Sequence, residues 1–182
     1  MATGDTENRR LGMEWLEAVI KAFYPAEPIG ADVNRVEAEG WFSPDDNCAG
    51  RIIDLFAQAK QTVDVCVFTI TDNRISEAVI RAHQRGVRVR IISDDDKAFD
   101  KGSDIGHLRS RGIECREDKT EHHMHHKFAI FDHRLLLTGS YNWTRSASLN
   151  NEENFIVSGD PRLLKAFARM FDRLWEDFGR TG

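Results

Sequence analysis

Long apolar runs are missing from this sequence: no stretch approaches the roughly 20 apolar residues needed to cross a bilayer. Cysteine is scarce. Cys48, Cys66 and Cys115 are odd in number and far apart, so buried free thiols are expected rather than a disulfide framework. No CxxC or CxxxC pair exists, which argues against a structural zinc site built on cysteine. Positive charge is not in excess: 25 Lys and Arg face 30 Asp and Glu, a formal net charge of -5. There is therefore no global basic field to attract nucleic acid, and any phosphate binding must come from a local patch. The first thirty residues mix acidic, basic and apolar groups without a signal-peptide core, so a cytoplasmic protein with no stable membrane anchor is expected. Short-period repeats and low-complexity tracts are also lacking. At 182 residues the chain suits one domain, read here as an N-terminal extension over 1–34 with a short helix and a main domain over 35–182.

What is present is an alternation of strand and helix signals. Met13, Leu16, Ile20 and Phe23 recur at helical spacing, cut by Tyr24-Pro25. A strand fits within Val33 to Phe42. Asp45, Asp46 or Asn47 can cap a helix running to about Lys60. Val63 to Thr69 reads as a buried strand. Thr71 or Asn73 can cap a helix to Arg85, stopped by Gly86. Val87 to Ser93 is the next strand, with Arg88 and Arg90 on one face. A polar loop from Asp94 leads to a helix ending at Arg111-Gly112, and Ile113 to Arg116 is a short strand. Asn154 to Ser158 is another, and Asp160-Pro161 opens a final helix over Leu163 to Phe178, whose apolar stripe reads as core packing. The order predicts an α/β fold, a mixed β-sheet sandwiched by helices.

The chemistry gathers in residues 122–142, HHMHHKFAIFDHRLLLTGSYN, which hold four of the seven histidines within five positions. Lys127 to Phe131 and Arg134 to Thr138 read as two strands of a hairpin turning at Asp132-His133. Alternation puts His125 and Lys127 on one face. Gly139 ends the second strand, leaving Ser140 and Asn142 in the loop beyond. An imidazole, an ammonium, a hydroxyl and an amide thus meet at one end of a hairpin, a set suited to a phosphate group. His122, His123 and His126 read as loop residues that favour a polyanion when protonated, with a zinc site shared with His125 as the alternative. Trp143 reads as an interface or packing residue, with stacking on a base as the alternative.

His125-x-Lys127, Asp132 and Gly139-Ser140-x-Asn142 match the pattern HxKxxxxDxxxxxxGSxN. This resembles the HKD motif of the phospholipase D superfamily. Phe42-Ser43-Pro44 and Asn151-x-Glu153-Asn154 extend the likeness across roughly 36–178. One motif per chain is similar to the single-motif nuclease branch, which includes bacterial endonucleases and Zucchini-type mitochondrial nucleases. The latter carry a membrane anchor and a cysteine-rich zinc element that this chain lacks, so a mitochondrial-surface role is not carried over. The acidic run Asp94-Asp95-Asp96 reads as a solvated, helix-capping loop, with the alternative that it lies near the cleft, repels backbone phosphates and narrows the substrate range.

The resemblance implies a phosphodiesterase that needs no metal and no cofactor. One motif supplies one histidine, whereas the reaction needs a nucleophile and an acid on opposite sides of phosphorus. A two-fold homodimer would supply both. His125 would attack phosphorus to form a phosphohistidine, and its symmetry mate would protonate the leaving oxygen. Lys127 and Asn142 would hold the non-bridging oxygens, with Ser140 as donor or loop support. Glu153 would accept from the second nitrogen of His125, with Glu152 as rival, and Asp132 would support the turn. The expected substrate is nucleic acid, single strands preferred, tracked by Arg88, Arg90, Arg109, Arg111, Arg116 and Arg145; DNA and RNA stay equally open. The alternatives are a hydrolase of cardiolipin or phosphatidyl lipids and a non-catalytic nucleic-acid-binding module.

Overall fold

The structure, a computed structural model, describes residues 38–94, 103–118 and 121–179. All of them lie in the unit Val36–Gly182. The helix expected over Met13 to Phe23, the start of the strand expected from Val33, and Asp95-Asp96 fall outside the described residues.

The elements in chain order are β1 (Glu39–Ser43), α1 (Cys48–Gln58), β2 (Thr62–Val67), α2 (Asn73–Gln84), β3 (Arg88–Ser93), α3 (Ile105–Ser110), β4 (Glu114–Glu117), β5 (Lys127–Phe131), β6 (Leu135–Gly139), α4 (Arg145–Leu149), β7 (Glu153–Ser158) and α5 (Pro161–Gly179). The strands form one seven-stranded sheet in the order β1-β7-β6-β5-β2-β3-β4. β2, β3 and β4 run parallel, while β5, β6, β7 and β1 are joined by antiparallel pairings. This is the mixed sheet that the alternation of signals implied.

Two apolar layers hold helices to the sheet. On one face Ile52, Leu55 and Phe56 of α1, Ile75 and Val79 of α2, and Leu108 of α3 pack on Val63, Val65, Val89, Ile91, Ala129 and Phe131. On the other, Phe171 and Trp175 of α5 pack on Cys66, Ile92, Phe128, Ile130 and Leu136. The remaining apolar stripe of α5 is only half covered, and Leu163 is exposed. The cysteines are free thiols. Burial pushes the Cys48 thiol up to about 11 and the Cys115 thiol up to about 12, so neither is a thiolate at neutral pH.

Local chemistry explains most boundaries. Asn47 caps α1 by accepting from Gly50 N–H. The cap of α2 is Asp72, not Thr71 or Asn73: its carboxylate accepts from Arg74 N–H and also from the Arg74 guanidinium at 2.6 Å. A five-residue helix, α4, capped by Thr144, was not signalled by any apolar period. The hairpin turn has Asp132 and His133 at φ 52° and 53°, the left-handed pair that a tight β-turn between twisted strands requires. Arg134 closes that turn by donating to Phe131 O at 2.9 Å, and pairing resumes one residue late, at Leu135 with Phe131. The strand expected from Arg134 therefore starts at Leu135.

Asp132 belongs to the scaffold rather than to the catalytic end. It sits five residues past Lys127, roughly 16 Å along the strand. Its carboxylate accepts backbone N–H groups of Lys60, Gln61 and Thr62 at 2.9, 2.7 and 3.0 Å, tying the hairpin to the start of β2. Burial opposes its charge, but these three donors outweigh burial and hold the carboxyl below its usual range. Such a shift contributes stability in full above the unfolded carboxyl value of about 3.9 and loses it as pH falls through the lower folded value. Asp132→Ala should cost about 1–3 kcal/mol in urea unfolding at pH 7. The gap to the parent should narrow as the measurement is repeated toward pH 3.

Candidate active site

The candidate site lies at the end of the sheet where β5 begins and β6 ends. β5 starts at Lys127, whose side chain is 8% exposed although it carries a charge. A buried ammonium must spend its donors. Lys127 Nζ lies 2.9 Å from the carbonyl oxygen of His125, 2.8 Å from His125 Nδ1 and 3.1 Å from His125 Nε2. It also sits 5.1 Å above the Phe68 ring. The His125 ring also packs on Phe68, centroids 4.6 Å apart. The expectation that His125 and Lys127 share a face is thus met at hydrogen-bond distance.

The electrostatics follow from that contact. Partial desolvation, then the Lys127 ammonium and His123, hold His125 below the ordinary imidazole value, with Asp94 opposing. Burial likewise holds Lys127 below its usual range, against the pull of Glu153. An ammonium donating to an imidazole nitrogen requires that nitrogen to be unprotonated. Burial and the adjacent ammonium thus both favour the neutral form of the ring, beside a fixed cation.

Gly139 brings the second half of the motif into place. A Cβ there would collide with the Asn154 carbonyl and Phe155 Cα, so only glycine lets β6 approach β7 this closely. Beyond it, Ser140 N–H and Tyr141 N–H donate to Asn154 O at 2.9 and 3.2 Å, and Ser140 Oγ accepts from Asn154 N–H at 3.1 Å. Ser140 thus anchors the loop and keeps its own hydroxyl proton for donation. Asn142 follows, and its buried Oδ1 has no hydrogen-bond partner among the described residues. The buried Trp41 Nε1, Tyr141 hydroxyl and Trp143 Nε1 are unpaired in the same way, so this atom by itself does not distinguish a functional amide.

Glu153 stands at the start of β7, at the same end, but accepts from Asn151 Nδ2 at 3.2 Å. Within the chain the polar partner of His125 is Lys127, so the bond expected between Glu153 and His125 is not formed here. Trp143 is fully buried, its ring edge-on to Phe56 at 5.9 Å, which rules out stacking on a base and makes it a core residue. The histidine cluster does not gather: His123 turns to Asp94 and His126 packs against Phe128 at 5.8 Å. Among the described residues no three His, Cys, Asp or Glu side chains are grouped as a metal-ion site.

The proposed arginine track is mostly engaged elsewhere. Arg90 pairs with Asp64 at 2.7 and 2.9 Å and lies over the Phe171 and Trp175 rings. Arg116 bonds the Trp175 carbonyl and covers its ring, and Arg109 pairs with Glu117 at 2.8 Å. Arg88, Arg111 and Arg145 remain exposed, and Arg145 is adjacent in sequence to the Asn142 loop. Two residues that sequence reasoning did not assign adjoin the His125–Lys127 pair. Phe68, just past β2, is the wall for both His125 and Lys127. Asp94 is not a solvated loop residue: it is fully buried against the histidine segment. Beside the pair, an open cavity of about 360 Å³ is lined by His125, His126, Lys127, Phe128, Thr138, Gly139 and, from α5, Ala166, Phe167 and Met170.

Comparison with known proteins agrees with this geometry. The family model described as "Cardiolipin synthase, PLD-like domain" matches residues 52–175. A mitochondrial cardiolipin hydrolase of Chlamydomonas reinhardtii is 55% identical over 128 residues, 70% of this chain and 57% of that protein. The Homo sapiens protein of the same name is 41% identical over 136 residues, 75% of this chain and 54% of its own length. The chain thus spans little more than half the length of these relatives. Among solved structures, the phospholipase D family member Nuc from Salmonella typhimurium matches with a TM-score of 0.72 at 26% identity, over 77% of this chain and 94% of that one. These findings overturn the cytoplasmic expectation, since the curated relatives are named as mitochondrial. That expectation rested on a missing membrane span and a missing signal-peptide core. Among the described residues no helix is long and apolar enough to cross a membrane, which says nothing about compartment. With the family model running from α1 into α5 and the motif's histidine and lysine in contact, the chain belongs to the phospholipase D superfamily.

Proposed function

We propose that this chain is a metal-independent phosphodiesterase that cleaves nucleic-acid strands through a phosphohistidine, as a two-fold homodimer with one shared active site. The carrying observation is the His125–Lys127 pair: a neutral imidazole poised beside a buried ammonium, with Ser140 and Asn142 at the same end of the sheet. An imidazole nitrogen of His125 attacks phosphorus, and a P–N bond forms as the P–O bond to the leaving group breaks. The departing oxygen takes a proton from His125 of the partner subunit. That imidazole, now neutral, removes a proton from water, which displaces the first His125 and regenerates both rings. Lys127 and Asn142 meet the negative charge that builds on the non-bridging oxygens, the task a metal performs elsewhere.

Several features support the dimer. Each chain carries one such pair, and the reaction needs two imidazoles in different protonation states. Phe42, Leu149 and Ile156 are large apolar side chains left 60%, 59% and 41% exposed, which a second copy of the chain could cover. Nucleic acid is favoured by the single-motif build and by the likeness to Nuc. A second reading, hydrolysis of a phosphatidyl lipid, is favoured by the largely apolar cavity against α5 and by the relatives' names. A mitochondrial location follows from the same relatives.

Cleavage of labelled single-stranded DNA and RNA, run beside cardiolipin vesicles in excess chelator, separates the two substrates. Oligonucleotide cleavage should persist in chelator, and hydrolysis of the vesicles alone would replace the nuclease reading with the lipid one. His125→Ala should lower the rate by at least about 10²–10⁴-fold while thermal unfolding stays close to the parent. Mixed with parent in equal parts and allowed to exchange subunits, it should leave about a quarter of the activity if both histidines are needed, and about a half if each chain works alone.

A further inference from the structure

The segment that delivers His125 has no strand bonds of its own. Residues 123–126 are irregular, and regular pairing starts only at Lys127. A catalytic imidazole on such a segment needs anchors on both sides. One is visible downstream: His126 O accepts from Phe68 N–H at 2.9 Å. The other is upstream. Asp94, immediately after β3, is fully buried, and its Oδ2 accepts from Met124 N–H at 3.0 Å and faces His123 Nδ1 at 3.1 Å. Met124 is itself sunk into the layer under α5, its Sδ 3.3 Å from Cys66 Sγ. His125 is therefore strung between two fixed points, one on β3 and one beyond β2.

Burying a carboxylate is costly unless its partners repay the lost hydration. A neutral side chain could fill the same space, so a buried charge at this position calls for a role beyond packing. We propose that Asp94 is a positioning residue for the reaction of His125, clamping the Met124 backbone and the His123 ring so that the His125 imidazole meets Lys127 and Phe68. The assignment rests on the phosphodiesterase reading given above.

The charge has a second consequence. The groups facing His125 are Lys127 on β5, His123 and His126 on the segment itself, and Asp94 from the end of β3; Lys127 and His123 disfavour its protonated form and Asp94 favours it. Removing the Asp94 charge should therefore move the His125 titration to lower pH, an effect that a purely mechanical strut would not produce.

The test uses Asp94→Asn and Asp94→Ala in the full chain, with kcat and KM measured on bis(p-nitrophenyl) phosphate and on oligonucleotides, and His125 titrated by NMR of its ring protons. Asp94→Ala should lower kcat roughly tenfold to hundredfold with KM changed little, the size expected for a slightly misplaced nucleophile. Asp94→Asn keeps the shape and one acceptor, and should recover most of that loss while its His125 midpoint falls below the parent's. An unmoved midpoint in Asp94→Asn overturns the proposal, as does a folded Asp94→Ala with parental kcat. If Asp94→Ala does not fold, Asp94→Asn decides alone. If the parent cleaves no phosphodiester, the functional reading fails, and the titration still decides whether Asp94 governs His125.

Discussion

A charged ammonium placed where water cannot reach it dictates much of this molecule. Lys127 is the first residue of the central strand β5, and its burial leaves its donors to the protein. They go to the carbonyl and ring of His125, two residues earlier, and its charge rests over Phe68. The same contact that makes the lysine tolerable keeps the histidine neutral and aimed. One arrangement thus does two things: it satisfies a buried ammonium, and it favours the neutral form of the imidazole at its side.

The sheet exists to hold that arrangement steady. β5 is flanked by β2 and β6, so the strand bearing the pair is paired along both edges. β2 delivers Phe68, and the tight β6–β7 approach at Gly139 delivers the Ser140–Asn142 loop to the same end. Asp132 works from the opposite end of the hairpin, locking the turn to β2 through three backbone N–H groups. The aspartate of the motif therefore acts at a distance: it fixes the register on which the histidine and lysine depend.

Much of this was legible in the sequence, because short-range chemistry decides it. Parity along a strand placed His125 with Lys127, and the spacing of Gly139, Ser140 and Asn142 needed only the hairpin to bring them alongside. The misreadings share a different cause: the deciding partner lies far along the chain. Asp94 opens a run of three aspartates and looked solvated; the N–H that buries it belongs to Met124, thirty residues on. Arg90 alternates with Arg88 and looked free for phosphates, but the β2–β3 register sets it directly opposite Asp64. Phe68 ends an apolar run and looked like core, while the strand stops one residue earlier and leaves its ring to the site. Trp143 is no misreading: read as a packing residue with base stacking as the alternative, it heads the largest fully buried side chains among the described residues.

The two faces of the sheet divide the labour at this end. By alternation, Lys127 shares its face with Ala129 and Phe131, which pack under α1 and α2. His126 and Phe128 point the other way, toward α5, where the cavity opens between the strands and Phe167 and Met170. A phosphate held by Lys127 and Asn142 would direct whatever it carries past His125 and into that second environment. His125 and Lys127 border this cavity from the sheet side, and Ala166, Phe167 and Met170 border it from α5. Changes on α5 can retune the cavity without touching the register of β5, and the same scaffold can serve phosphodiesters whose flanking groups differ widely. On the proposed reading, α5 supplies the wall that would meet the substituent, while the imidazole and the ammonium remain as the sheet sets them.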